Sequence, residues 1–89
     1  MNDNYGQSKI SRTLASSGIV PVIRLSNQAQ AIPLANALTQ GGLPVAEITL
    51  RTKCAVDCIE LINTAYPDFL VGAGTVLTVD QARTVAQAG

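Results

Sequence analysis

Apolar residues change their spacing several times along the chain, and the changes mark out alternating helices and strands. In "SKISRTLASS", residues 8–17, Ile10 and Leu14 share one side of a short amphipathic helix that Gly18 stops. "IVPVIRL", residues 19–25, is a β-branched run of strand length, interrupted by Pro21, which has no N–H to give to a ladder. Ser26 or Asn27 then caps a helix that runs to Gln40 and stops at Gly41-Gly42. Ala31, Leu34, Ala35 and Leu38 fall at i, i+3, i+4 and i+7, the spacing of one buried stripe. Pro33 kinks this helix or marks where its regular part begins. A second strand covers residues 45–50. The next helix runs from Lys53 to Tyr66, with Ala55, Cys58, Ile59, Ile62 and Tyr66 inward and Lys53, Asp57, Glu60 and Asn63 outward. Pro67 closes it. "DFLVGAG", 68–74, supplies a third strand. "TVDQ", 78–81, reads as a capping box: the Thr78 hydroxyl accepts from the Gln81 N–H, and the Gln81 side chain reaches back. Val79, Ala82, Val85 and Ala86 carry the stripe of a last helix, with Gly89 at its end.

The order α-β-α-β-α-β-α predicts βαβ units on a parallel sheet, with strands in the order 1-2-3. Residues 1–89 read as one portion of a single domain: a polar tail over 1–7, a leading helix over 8–17 and three βα units over 19–89. Hydrophobic residues are 47% of the chain and charged residues 13%. A domain of this length buries only about two-thirds of its unfolded surface. So apolar a composition therefore fits elements covered on more than one side better than a free-standing miniature domain.

Six basic and six acidic residues cancel, which leaves no field to attract nucleic acid or an anionic membrane surface. No run of 18 apolar residues is present to span a bilayer. The start, "MNDNYGQSK", lacks the basic-then-apolar order of a signal peptide, so a cytoplasmic location is expected. Cys54 and Cys58 stand four apart and stack on one helix face. Zinc would need two more ligands, and the sequence has no His and no third Cys. Two reduced structural thiols are expected, and no metal or cofactor.

The second strand raises a chemical question. "VAEITLRT", residues 45–52, is an apolar run that contains Glu47 and Arg51, with Thr49 between them. Alternation puts Glu47, Thr49 and Arg51 on one face, and Ile48 and Leu50 on the other. In a flat sheet with helices on both sides the polar trio is buried at a cost unless fully paired. In a barrel the apolar pair meets the outer helices, and the trio faces the interior and rises toward the C-terminal mouth, where barrel active sites lie. A structural Glu47–Arg51 ion pair is the plainer alternative. The two lie about 13 Å apart along an extended strand, too far for relaxed contact.

"VGAGT", 71–75, follows the same logic. Gly72-Ala73-Gly74 between strand and helix would suit a dinucleotide turn, but the fingerprint needs a third Gly or Ala where Leu77 stands. What remains is two glycines that allow close backbone approach at a strand's C-terminal end, with the Thr75 hydroxyl beside them.

Taken in order and spacing, "GIVPVIR", "GGLPVAEITLRT" and "VGAGTVLT" resemble the 2-keto-3-deoxy-6-phosphogluconate / 4-hydroxy-2-oxoglutarate aldolases, over nearly all of residues 18–89. These are class I, Schiff-base enzymes with a (β/α)₈ TIM-barrel fold. The resemblance implies an α/β chain carrying a leading helix and the first three βα units of such a barrel. It implies Glu47 as general acid/base, Arg51 and Thr75 as the holders of the pyruvyl carboxylate, and Gly74 beside them as a substrate-binding position. It further implies a small 2-keto acid substrate, a homo-oligomer (a trimer) and a place in Entner–Doudoroff carbohydrate metabolism.

The chemistry suits these residue types. A lysine amine condenses with the keto group, and the resulting iminium takes up the electrons of the breaking carbon–carbon bond. A carboxylate shuttles protons to and from the carbinolamine and the aldol hydroxyl. A guanidinium grips the substrate carboxylate through two hydrogen bonds.

Two parts of the family pattern are expected outside these residues: the Schiff-base lysine on a later strand, and a phosphate site near the last two strands. Lys9 lies in the leading helix, and Lys53 opens the helix after the charged strand, the ordinary place for a solvated lysine. Three strands fall short of a barrel, which takes roughly 200–250 residues. The 89 residues by themselves are thus expected to be inactive. The alternatives are a non-catalytic truncated remnant or another phosphosugar-handling barrel enzyme. Arg24, near the end of strand one, reaches the mouth only if its strand parity allows.

Overall fold

The computed structural model describes residues 7–89. The polar tail expected over residues 1–7 lies outside the described residues except for Gln7, which opens a π-helical turn, Gln7–Ser11. That turn runs into helix α1, Arg12–Ser17. The remaining elements are β1 (Val22–Ile23), a 3₁₀ turn (Gln28–Gln30) leading into α2 (Ala31–Gln40), β2 (Val45–Thr49), α3 (Ala55–Ala65), β3 (Leu70–Gly74) and α4 (Val79–Ala88).

The three strands form one parallel sheet in the order β1-β2-β3. In register, Val22 faces Glu47, Glu47 faces Gly72, and Thr49 faces Gly74. β1 is much shorter than the run 19–25 that its composition suggests. Pro21 offers only its carbonyl, which accepts from the Glu47 N–H at 2.8 Å. Past Ile23 the chain leaves the ladder, and the Leu25 carbonyl is taken by side chains from the loop after β2. Ile19 and Val20 stay largely exposed outside the strand.

Between the two candidate caps of α2, Asn27 is the one used. Its side chain accepts from the Ala29 N–H at 2.8 Å, while Gln30 reaches back to the Asn27 N–H. Regular α-helix starts at Ala31, so Pro33 stands in the first turn, where a missing N–H costs nothing. It marks the start of the helix and does not break it. At the other end Gly42, at φ +83°, allows Leu43 to donate back to Leu38 at 2.8 Å and Gly42 itself to Thr39 at 3.0 Å.

One face of the sheet packs against the helices. Ala46 and Ile48 are buried against Ala31 and Ala35 of α2 and Ala55, Cys58, Ile59 and Ile62 of α3, the stripes that the spacing predicts. Lys53, Asp57, Glu60 and Asn63 are exposed, as expected. The opposite, inner face carries Val45, Glu47 and Thr49. At its N-terminal end α1 lies across the sheet, where Ile10, Leu14 and Val20 line an open groove of about 340 Å³ with Val45 and Glu47.

Helix α4 departs from its expected stripe. Val79, Ala82 and Ala86 are exposed, and the helix is seated through half-buried Val85 and buried Ala88 against α3. Its cap also differs by one residue. Thr78 accepts from the Gln81 N–H at 3.0 Å as expected, but the Gln81 side chain accepts from the Leu77 N–H at 2.7 Å. Thr78 is extended, and the backbone group within reach of the Gln81 amide is the one before it.

Candidate active site

Glu47 sits in the middle of the central strand, half-buried, on the inner face. Its two cross-strand neighbours on β3 are glycines, Gly72 directly opposite and Gly74 one step further along the same face. The second glycine is in close contact with the acid. A Cβ at Gly74 would stand 2.7 Å from the Glu47 carboxylate carbon and 2.9 and 3.0 Å from its oxygens. A Cβ at Gly72 would meet nothing within 4 Å. The carboxylate therefore leans toward the C-terminal end of the sheet and rests on the Gly74 backbone. No ion pair engages it among the described residues, whose one salt bridge joins exposed Arg83 and Asp80 on α4.

Thr75 follows at the end of β3 with φ +57°, the only non-glycine residue with positive φ among those described. A β-branched residue in this region is a real outlier, with a cost of about 1–2 kcal/mol. The bend directs the chain out of the sheet immediately after the glycine that supports Glu47. Strain of this kind concentrates where a side chain or backbone group must be held for a ligand.

Arg51 is placed differently from its expected strand position. The β2 ladder ends at Thr49, and Arg51 stands in the turn between β2 and α3, exposed. Leu50 makes the last link to the sheet, its N–H donating to the Gly74 carbonyl at 2.9 Å. The guanidinium is thus carried on a loop at the C-terminal end of the strands, and not on the ladder itself. Arg24 is exposed just past β1. Because Val22 pairs with Glu47, Arg24 falls on the inner-face parity, which the sequence left open.

The loop after β2 holds contacts that the motif reading did not identify. The Thr52 hydroxyl donates to the Leu25 carbonyl at 2.6 Å, and Cys54 Sγ donates to the same oxygen at 3.2 Å. Thr49 makes a longer bond, 3.4 Å, to the Ile23 carbonyl. Thr52 stands inside the quoted motif, but no local spacing encodes its partner 27 positions earlier. Cys54 is half-buried and Cys58 fully buried, both as free thiols. Burial, then hydrogen bonding and charge interaction with Cys54, push the Cys58 thiol up to about 11, which makes it unreactive near neutral pH.

Lys9 and Lys53 are both exposed. Lys9 lines a cavity with Asn63, Asp68 and Phe69, beside the first residues of β3 and so at the end of the sheet opposite Gly74. No helix among the described residues is long and apolar enough to cross a membrane.

The chain is 44% identical over 86 residues to the 2-dehydro-3-deoxy-phosphogluconate aldolase of Haemophilus influenzae, covering 97% of this chain and 41% of that one. It is 47% identical over 76 residues to the KHG/KDPG aldolase of Escherichia coli, covering 85% and 36%. Among solved structures, it superposes with a TM-score of 0.81 and 45% identity on the KDPG aldolase of Legionella pneumophila, whose crystals hold pyruvate as a covalent carbinolamine intermediate, covering 86% of this chain and 37% of that one. The Zymomonas mobilis ZM4 enzyme, solved with 3-phosphoglycerate, also gives 0.81, at 37% identity, covering 93% and 39%. The chain thus spans about two-fifths of the length of these relatives. Its leading helix and three parallel βα units are part of a TIM barrel. The family model for KDPG and KHG aldolases matches residues 10–89, and the chain belongs to that family.

Proposed function

We propose that these residues form the proton-transfer and carboxylate-binding side of a class I aldolase. Its substrate is 2-keto-3-deoxy-6-phosphogluconate, cleaved to pyruvate and glyceraldehyde 3-phosphate, or 4-hydroxy-2-oxoglutarate, cleaved to pyruvate and glyoxylate. In this reading Glu47 is the general acid/base. It protonates the departing hydroxyl of the carbinolamine, then accepts the proton of the aldol hydroxyl as the carbon–carbon bond breaks. Arg51 grips the carboxylate of the keto acid. Thr75 and the backbone at Gly74 hold its other side, and the bend at Thr75 fixes that approach.

The amine belongs to a lysine on a later βα unit. Lys9 stands at the wrong end of the sheet, and Lys53 is a solvated residue in the turn that opens α3. Residues 1–89 by themselves are therefore inactive in this proposal, and they form the N-terminal portion of one barrel domain. The working enzyme is a cytoplasmic homo-oligomer, a trimer by its resemblance to the family.

The observation that carries the proposal is the Glu47 carboxylate resting on Gly74, at the C-terminal half of the inner face and without an ion-pair partner among the described residues. Borohydride reduction of the complete aldolase in the presence of pyruvate tests it. A covalent pyruvyl adduct is expected, because an iminium is reducible. Full activity with no adduct would rule out the Schiff-base route.

A further inference from the structure

Arg51 is carried on five residues, 50–54, between the end of β2 and the start of α3. Such a loop must be held at both ends if a guanidinium on it is to keep a fixed direction. The residue before Arg51 is held: the Leu50 N–H donates to the Gly74 carbonyl of β3 at 2.9 Å. The residue after it is held from the other side of the sheet: the Thr52 hydroxyl donates to the Leu25 carbonyl, just beyond β1, at 2.6 Å. Backbone bonding within the loop is weak by comparison, since the Ala55 N–H reaches the Thr52 carbonyl at 3.4 Å. Cys54 Sγ donates to the same Leu25 oxygen at 3.2 Å and lies 3.5 Å from the Thr52 hydroxyl. Both acceptor directions of that carbonyl are thereby used.

We propose that Thr52 is the positioning residue for Arg51, its bond to Leu25 fixing the carboxylate-binding loop to the chain beyond β1 as the Leu50 bond fixes it to β3. Cys54 is the secondary donor. In this proposal Thr52 acts on the substrate only through Arg51. It works by limiting where the Arg51 backbone can sit, and a misplacement of about 1 Å in a positioning group costs on the order of 10²-fold. The inference rests on the role of Arg51 proposed above.

The test is steady-state kinetics of the complete aldolase in four variants: Thr52→Val, Thr52→Ser, Arg51→Ala and Arg51→Ala/Thr52→Val. Arg51 holds a group that does not change during the reaction, so loss of its aim should appear mainly in KM. Thr52→Val keeps the side-chain shape and should raise KM by roughly 10–100-fold, with kcat changed much less. Thr52→Ser, which retains the hydroxyl, should restore KM to within about threefold of the parent value. Added to Arg51→Ala, the Val substitution should raise KM by less than about twofold, because nothing is left to aim.

An equal KM rise with and without Arg51 would overturn the inference and make Thr52 a merely structural residue. An unchanged KM in Thr52→Val, beside a raised one in Arg51→Ala, would overturn it and leave the role of Arg51 standing. An unchanged KM in Arg51→Ala would remove the carboxylate role itself. If Thr52→Val does not fold, Thr52→Ala takes its place, with the same expected rise in KM that vanishes when Arg51 is absent; no rise would overturn the proposal.

Discussion

The Glu47 carboxylate occupies the space that any side chain at Gly74 would need, at 2.7 Å from the carboxylate carbon to the missing Cβ. The glycine of "VGAGT" is therefore tied to the acid of "VAEITLRT" by contact across two adjacent strands.

Gly74→Ala should separate activity from stability. Gly74 does not have positive φ, so alanine meets no backbone penalty there. The clash is with the movable end of one side chain, and Glu47 should swing away. We expect kcat to fall by about 10–100-fold, while unfolding free energy changes by less than about 1 kcal/mol. Kinetics and chemical denaturation of the complete enzyme, run side by side, check both halves.

Thr75→Gly should act in the opposite sense on the two quantities. Glycine relieves the left-handed strain of Thr75, about 1–2 kcal/mol, against an entropic cost of about 0.5–1 kcal/mol in the unfolded chain. Stability should stay level or rise slightly. Under the carboxylate-binding role proposed for Thr75, loss of its hydroxyl should weaken pyruvate binding by roughly 10-fold or more. Calorimetric titration with pyruvate and a thermal melt of the same sample measure the two effects.

Cys58 gives a pH prediction with a definite sign. Its thiol is raised from 9.0 to about 11 in the folded state. Between these values the unfolded chain releases a proton that the folded chain retains. The stabilisation is fully present below pH 9 and is lost as pH rises toward 11, by up to about 2–3 kcal/mol. Urea denaturation at stepped pH should show this slope, and Cys58→Ala should lack it.

Much of this architecture was legible because it is periodic. The stripes of α2 and α3 and the parallel order follow from spacings that burial against the sheet enforces, as at Ala31, Ala35, Ile59 and Ile62. Glu47 stood out because a charge on an apolar strand needs a reason. What the sequence concealed depends on partners far along the chain. β1 contracts to two residues because Pro21 gives no N–H and Leu25 is claimed by Thr52 and Cys54. Arg51 leaves the strand because the ladder ends at Thr49. α4 is turned so that Ala88, and not the Val79–Ala82–Ala86 line, meets α3. The bend at Thr75 had no signal, since a β-branched residue argues against positive φ.

The most direct measurement is the pyruvate-releasing turnover of the complete enzyme with Glu47→Gln, an isosteric change that removes the transferable proton and the charge. A fall in kcat of about 10²–10⁴-fold is predicted, the usual contribution of a general acid/base. Turnover equal to that of the parent enzyme would contradict the assignment of Glu47 as the proton shuttle and, with it, the reading of this face of the sheet as the active site.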